Sequence, residues 1–156
     1  MKRESTKICS HQVVGALIRD AQGHILLFQR NTFPPGFAGP AGHQELEESS
    51  EEALEKEVRE EVGLQTVEYR LIAEFFDPHP CRRESQRLGH HWKFYEVAVS
   101  GELQTNDREV VPQSARYFSL EELAAIAAHT EEGKTNAEGF DWPWLKFFQM
   151  VGLIQR

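Results

Sequence analysis

Apolar and polar positions in the first third of the chain follow the pattern of two β-strands. The segment HQVVGALIRDAQGHILLFQR has apolar, β-branched-rich runs on both sides of Asp-Ala-Gln-Gly at 20–23, residues that suit a turn. We therefore predict a β-hairpin. The segment FPPGFAGPAG follows, and its prolines and glycines exclude regular structure and predict a shaped loop.

The pattern becomes helical at Ser49. Ser49 and Glu52 have the spacing of a capping box, and Gly63 is the residue type that commonly ends a helix in the left-handed conformation. These signals predict a helix from about Ser50 to Val62. Its apolar face, which should dock the helix on the rest of the fold, consists of Leu54, Val58 and Val62.

The remainder of the chain predicts further strands and two more helices. VEYRLIAEFF and HWKFYEVAVSG are typical of strands, separated by the polar loop DPHPCRRESQRLG. A third extended run, VVPQSARYF, should be short or irregular because Pro112 lacks a donor for the ladder. SLEELAAIAAH opens with a second capping box, Ser119 and Glu122, and EEGKTNAEG is a loop.

The last segment, DWPWLKFFQMVGL, predicts a terminal helix. Asp141 is a plausible cap and Pro143 falls in the first turn, where proline is tolerated. The aromatic residues of this helix could stack on a base, but helical spacing favours packing against the core. We assign Trp142, Trp144, Phe147 and Phe148 to packing.

Composition narrows the class of protein. The chain has 156 residues, 40% of them hydrophobic, which suits one globular domain over 1–156. Its net charge of −8 argues against broad, sequence-independent binding of nucleic acid. No signal-peptide core or membrane-length apolar run is present, and Cys9 and Cys81 lack paired ligand spacing. We expect a cytoplasmic protein with free, structural thiols.

The predicted acidic helix carries candidate chemistry. Glu57, Glu60 and Glu61 fall within one sector, beside the apolar face, because each residue advances the helix by about 100°. Their mutual repulsion is unfavourable unless a cation lies among them, and clustered carboxylates suit magnesium or manganese better than zinc. The alternative is an acidic helix face that is simply solvated.

The spacing around this helix decides between these readings. Gly42 is followed after five residues by Glu48, and after seven more by Lys56-Glu57-Val58-Arg59-Glu60-Glu61-Val62-Gly63-Leu64. This pattern resembles the Nudix box, with Lys56 in place of the usual arginine. The resemblance implies an α/β/α sandwich with a mixed β-sheet, an α/β fold.

The resemblance also implies an activity and a metal site. Nudix hydrolases cleave nucleoside diphosphates linked to another group and use divalent cations, Mg²⁺ or Mn²⁺. The implied catalytic residues are Glu57 and Glu60, with Glu57 as a candidate base. The implied metal ligands are the Ala41 carbonyl, Glu57, Glu60 and Glu61.

Other positions are implied to support the site. Glu48 and Lys56 occupy the positions of an ion pair that braces the loop against the helix, although lysine lacks the planar fork of arginine. Glu47 stands where many members have glycine to open the turn. Arg30 is expected to contact substrate phosphate. Gly42 suits a close backbone turn around the metal, and His43 beside it is expected to be a packed or loop residue rather than a ligand.

Weaker candidates lie outside the box. Glu109 is a candidate extra metal ligand or base. Arg82 and Arg83, with Arg87, are candidate substrate contacts, although ordinary solvated charge is the favoured interpretation of that loop. Residues His90, His91 and Lys93 lie along one predicted strand, so at most one side of them can face a pocket.

Alternatives remain for function and substrate. A Nudix-fold module could bind a nucleotide or protein without hydrolysis, although such modules typically lose box glutamates, and a purely structural acidic domain would bind no divalent cation tightly. Nucleoside triphosphates and ADP-ribose-like nucleotides are the favoured substrates, the latter from Pro40-Ala41-Gly42 and Pro80, ahead of dinucleoside polyphosphates or capped RNA. We expect a small-molecule nucleotide partner, with no nucleic acid and no membrane. The oligomeric state is open, with a homodimer among the alternatives.

Overall fold

A computed structural model describes residues 9–79 and 88–155. The element order is β1 (Gln12–Leu17), β2 (Ile25–Gln29), β3 (Phe37–Ala38), β4 (Ala41–His43), α1 (Ser50–Val62), β5 (Gln65–Asp77), β6 (His90–Ser100), β7 (Arg116–Phe118), α2 (Leu120–Ala127) and α3 (Trp142–Met150). Among the described residues, no helix combines the length and the apolar character that a bilayer-spanning segment needs.

The strands form two sheets. The larger sheet has the order β4-β1-β6-β5, in which β1 runs parallel to β6 and the other two pairs are antiparallel. The smaller sheet has the order β3-β2-β7 and is antiparallel. Helices lie on both sides of this strand layer, so the predicted α/β/α architecture with a mixed sheet is confirmed.

Alternating residues of strand β1 are buried in two different hydrophobic cores. Val13 and Leu17 of β1 point into a core that contains residues of α2 and α3, whereas Val14 and Ala16 point into the core under α1. The predicted docking face of α1 is confirmed, since Leu54, Val58 and Val62 are almost completely buried.

The predicted hairpin turn is present. Arg19 pairs with Ile25 in an antiparallel bridge, and Gly23 has φ of +84°, which a residue without a Cβ adopts at little cost. Beyond this turn, however, β1 and β2 belong to different sheets. The hydrophobic pattern predicts strands but not their partners, because pairing depends on distant segments.

The helix termini agree with the sequence. Helix α1 spans Ser50–Val62, both capping boxes are formed, and Gly63 is left-handed at the end of α1. Asp141 occupies the N-cap position of α3 but makes no side-chain capping hydrogen bond. In α3 the residues Trp144, Phe147 and Phe148 are fully buried, which confirms their assignment to packing, whereas Trp142 is only partly buried.

The long strands β5 and β6 pair over most of their length. Strand β5 lies at the edge of the larger sheet, and residues 67–71 are all exposed, so the predicted alternation in burial is absent from this part of the strand. Strand β7 is three residues long, as expected after Pro112. The connecting residues Pro80, Cys81, Arg82, Arg83 and Arg87 lie outside the described residues.

Candidate active site

Three carboxylates meet at the edge of the α1 layer. Glu57 and Glu61 lie one turn apart on α1, and Glu109 comes from the segment before β7. One oxygen from each carboxylate lies within 4.8 Å of the others. The backbone around Glu109 is fixed, because its carbonyl accepts a hydrogen bond from the Asn31 N–H (2.9 Å). We name Glu57, Glu61 and Glu109 the carboxylate cluster.

The first residues of strand β4 close on this cluster. The backbone N–H of Ala41 donates to Oε1 of Glu61 at 3.1 Å. A Cβ at Gly42 would overlap the carboxylate of Glu57, so a larger residue at this position would displace that carboxylate from its place in the cluster. The predicted need for glycine is therefore explained by contact with Glu57.

Burial raises the proton affinity of two members of the cluster. Loss of water raises the pKa of Glu57 to about 7, and the nearby charges of Glu109 and Glu60 act in the same direction. A hydrogen bond to Glu61 and the positive charge of Lys56 oppose this shift only in part. Burial, together with the charges of Glu57 and Glu109, also raises the pKa of Glu61 well above its usual value.

These donors fit a hard divalent cation. Oε1 of Glu109 is buried and has no hydrogen-bond partner among the described residues, so one acceptor of the cluster lacks the compensation that burial normally requires. The cluster offers carboxylate oxygens and no imidazole or thiol, which is the donor set of magnesium or manganese. A bound cation would also relieve the like-charge repulsion that adds to burial in raising both pKa values.

The ion pair predicted behind the cluster is present. Nζ of Lys56 lies 2.8 Å from Oε2 of Glu48, whose Oε1 accepts a hydrogen bond from the Glu45 N–H at 2.7 Å. Burial acts to raise the pKa of Glu48, but the hydrogen bonds from Lys56 and Glu45 outweigh it and leave the pKa lowered. Glu47 has φ of +69°, a left-handed conformation that glycine adopts more readily than a residue with a Cβ.

A cavity of about 520 Å³ opens beside the cluster. Arg30 lines it, but the guanidinium is already engaged, since its Nε donates to the Pro34 carbonyl at 2.8 Å and Nη1 lies 3.7 Å from a carboxylate oxygen of Asp141. Burial raises the pKa of Asp141, and the positive charge of Arg30 opposes that rise. Trp142, the residue after Asp141, also lines the cavity.

Sequence reasoning missed several cavity residues. Asp77 ends β5, and His79 follows two residues later with its Nδ1 2.7 Å from Asp77 Oδ1. Lys134 comes from the loop after α2, and Asp141 was expected only to cap a helix. A carboxylate at the end of an apolar strand was the available signal for Asp77; the loop position of Lys134 offered none.

The remaining predicted residues are divided between the cavity and the surface. Ala41, His43 and His90 line the cavity. His91 instead lies 2.9 Å from a Glu74 oxygen, and Lys93 Nζ contacts Ser50 Oγ at 3.2 Å, which confirms that one side of the strand faces the pocket. Glu60 is exposed and outside the carboxylate cluster, so its ligand role stays a prediction.

The fold and this site define the Nudix family. The family model for the NUDIX domain matches residues 10–142, and the chain belongs to that family. The NAD-capped RNA hydrolase NudC of Pseudomonas aeruginosa is 34% identical over 105 residues, which are 67% of this chain and 34% of that protein. The RNA pyrophosphohydrolase of Cellvibrio japonicus is 26% identical over 141 residues, 90% of this chain and 75% of that protein.

Solved structures share the fold. The MutT protein from Methanosarcina mazei Go1 superposes with a TM-score of 0.68 at 20% identity, covering 90% of this chain and 91% of that chain. DR0079 from Deinococcus radiodurans gives a TM-score of 0.62 at 24% identity, with coverage of 88% and 86%. The chain matches only about a third of the length of the NudC relatives, with 34% of the P. aeruginosa protein aligned.

Proposed function

We propose that the protein is a divalent-cation-dependent hydrolase that cleaves the diphosphate linkage of a nucleotide derivative. The observation that carries this proposal is the carboxylate cluster, whose three glutamates have carboxylate oxygens within 4.8 Å of one another and line a cavity of about 520 Å³. A structural helix would gain nothing from burying like charges together, whereas a cation-binding site requires it.

We assign the cation, Mg²⁺ or Mn²⁺, to the carboxylates of Glu57, Glu61 and Glu109, with the Ala41 carbonyl and Glu60 as further candidate ligands. Such ions neutralise charge on diphosphate oxygens and lower the pKa of bound water. Glu57 and Glu109 are our candidates to accept the proton of the attacking water, since Oε1 of Glu109 is buried without a donor among the described residues. Catalytic roles for Glu57 and Glu60 remain proposals.

The rest of the substrate would occupy the cavity. Arg30 is the cationic group that we assign to phosphate, which it could reach by giving up its long contact of 3.7 Å with Asp141. Phe33 and Trp142 also line the cavity, and their rings offer apolar surfaces on which a base could stack. The cavity of about 520 Å³ is within the usual size of small-molecule sites, so we assign the diphosphate to the cluster and the attached group to the rest of the cavity.

The choice of substrate rests on two kinds of support. The sequence alone favours nucleoside triphosphates or ADP-ribose-like nucleotides. The relatives are instead named as an NAD-capped RNA hydrolase and an RNA pyrophosphohydrolase. The feature common to these compounds is a diphosphate joined to a nucleoside. The expected absence of a nucleic-acid partner is therefore not part of this proposal, and the cytoplasmic location and single-domain organisation stay predictions.

One screen tests the activity. The purified protein is incubated with magnesium and nucleoside triphosphates, ADP-ribose, NAD, a dinucleoside polyphosphate, and RNA bearing a 5′-triphosphate or an NAD cap, and products are separated by chromatography. We expect cleavage at a diphosphate in at least one class, and its loss in Glu57→Gln. Tight nucleotide binding without product, in magnesium and in manganese, would instead identify a non-catalytic binding module.

A further inference from the structure

A second group of metal-ligating side chains lies near the carboxylate cluster but shares no residue with it. Cys9 precedes β1, His43 ends β4 and His90 begins β6. One ligand atom from each, a thiol sulfur and two imidazole nitrogens, lies within 4.8 Å of the other two. We name Cys9, His43 and His90 the thiol–imidazole cluster.

We propose that the thiol–imidazole cluster binds a borderline-soft divalent cation, with zinc as the preferred ion. One thiolate and two imidazoles are a donor set that zinc commonly takes, with a fourth position left to water. In a tetrahedral zinc site the ligand atoms would be separated by roughly 3.3–3.6 Å, given the usual Zn–S and Zn–N bond lengths. The spacing of up to 4.8 Å is therefore closed by side-chain movements of about 1 Å.

The surroundings of the cluster hold its members in place. Cys9 is 3% exposed, so its sulfur is not a surface thiol. The backbone N–H of His11 donates to the Cys9 sulfur at 3.3 Å, and His11 Nδ1 lies 2.8 Å from the Gly89 carbonyl, next to His90. Hydrogen bonds of this kind around a metal site orient the ligands and strengthen binding.

The two clusters would select different metals. The carboxylate cluster contains only oxygen donors, which suit magnesium, whereas sulfur and nitrogen donors favour zinc strongly over magnesium. The histidine rings of residues 43 and 90 already lie with centroids 5.3 Å apart. Both histidines line the cavity, so this second metal would lie beside the proposed substrate pocket. The carboxylate cluster contributes no ligand to the second site.

Occupancy of this site would join three separate segments. Its ligands come from the chain before β1, from β4 directly after Gly42, and from the start of β6. Because bound metal stabilises the state that binds it, zinc should raise the midpoint of thermal unfolding. This inference does not rest on the proposed hydrolysis, and its test measures no turnover.

Cobalt(II) is the probe, because a thiolate ligand gives it an intense near-ultraviolet charge-transfer band. The full chain is stripped with chelator, reduced, placed in excess magnesium to saturate carboxylate sites, and titrated with cobalt and then with zinc. We expect one cobalt per chain, the thiolate band, displacement by one equivalent of zinc, and a higher unfolding midpoint with zinc.

Matched variants identify the ligands. Cys9→Ser should abolish the band, and His90→Gln should weaken cobalt affinity at least about 10-fold, the lower range for changes around a metal site. The controls are Cys81→Ser, at the only other cysteine, and His129→Gln, at an exposed histidine of the α2 terminus. Both should bind as the unchanged protein does. Circular dichroism confirms that each variant is folded.

Several outcomes would overturn the assignment. Absence of a thiolate band in the reduced, unchanged protein would do so, and that measurement does not depend on any variant folding. Retention of the band in folded Cys9→Ser would reject Cys9 as a ligand, and loss of the band in Cys81→Ser would overturn the assignment of the site to Cys9, His43 and His90 alone. Cobalt binding that disappears in Glu57→Gln but persists in His90→Gln would place the ion at the carboxylate cluster instead.

Discussion

Glu57 is subject to two opposing demands. Its burial and its like-charged neighbours raise its pKa to about 7, so the metal-free folded chain holds this carboxyl protonated below neutral pH. In our proposal the same carboxylate must be ionised to hold a cation. Gly42 matters to both demands, because a Cβ at that position would overlap the carboxylate where it now lies.

We predict that Glu57→Gln loses most of its activity while remaining at least as stable as the unchanged protein. A neutral amide removes the like-charge repulsion, but it is a poor substitute for a carboxylate ligand. Replacing groups that only support a metal ligand costs about 10-fold to 100-fold, so the loss here should reach at least 100-fold. Turnover at saturating magnesium and thermal unfolding without magnesium are the two measurements.

The matched control is Glu55→Gln, which removes the same charge from an exposed position of α1. It should leave turnover within about 2-fold of normal, since an exposed charge on the far side of the helix contributes little. Near-normal turnover in Glu57→Gln would refute the assignment of this residue to the cation.

Glu47 offers a separate test of backbone conformation. Its φ of +69° is unfavourable for a residue with a Cβ, by about 1–2 kcal/mol, whereas glycine adopts it freely but loses more entropy on folding. We predict that Glu47→Gly raises the free energy of unfolding by about 0.5–1 kcal/mol. Chemical denaturation measures this change, and a decrease in stability would show that the glutamate side chain makes compensating contacts.

At the level of elements, the sequence predicts the features that local interactions determine, such as the ends of a helix. Helix α1 begins and ends where the sequence places it because its capping box and Gly63 act within a few residues of the ends they define. The division of β1 and β2 between two sheets depends on pairing with β6, β4 and β7, all distant along the chain. No local pattern could have given it.

The same limit applies to the site. Glu57 and Glu61 are predictable because helical spacing brings them together, and the ion pair of Glu48 and Lys56 follows from the family pattern. Glu109 joins them from an irregular segment, and only the folded backbone fixes its position. The thiol–imidazole cluster was invisible to motif spacing, since its three residues come from three separate segments.

The ion pair between Glu48, in the loop before α1, and Lys56 on α1 gives a prediction of its own. Lys56→Ala removes the 2.8 Å contact with Glu48, which would free the chain leading from β4 into the helix. We expect the magnesium concentration for half-maximal activity to rise about 10-fold to 100-fold, as for other changes behind metal ligands. Activity titrated against magnesium measures it.

Lys56→Arg is the matched variant. A planar guanidinium can hold a carboxylate with two parallel hydrogen bonds, so this variant should keep or lower the magnesium requirement. An unchanged half-saturating concentration in Lys56→Ala would mean that the ion pair contributes nothing to the site.

For the whole molecule, the buried carboxylates couple stability to pH. The pKa of Glu57 rises from its usual 4.5 to about 7, and that of Glu61 rises in the same direction. Between these values the folded state binds protons that the unfolded state has already released. The free energy of unfolding must therefore fall as pH increases through this window.

We predict that the metal-free protein has a lower unfolding midpoint at pH 8 than at pH 5.5, and that magnesium restores much of the difference by supplying positive charge. The shifted pKa of Glu57 alone should lower the free energy of unfolding by about 2 kcal/mol between pH 5.5 and pH 8. Thermal unfolding across this pH range, with and without magnesium, measures it. In Glu57→Gln the decline should become shallower, and an identical slope would contradict the linkage.

Strand β1 has a further consequence for how the molecule opens. Its successive side chains belong to opposite cores, and it lies between β4 and β6 in the sheet. Neither helical layer can separate from the sheet without exposing one face of this strand. Amide protons of β1 that bond across the sheet should therefore exchange with deuterated solvent only through global unfolding, and their protection should report the stability of the entire protein, while the β5 edge exchanges earlier.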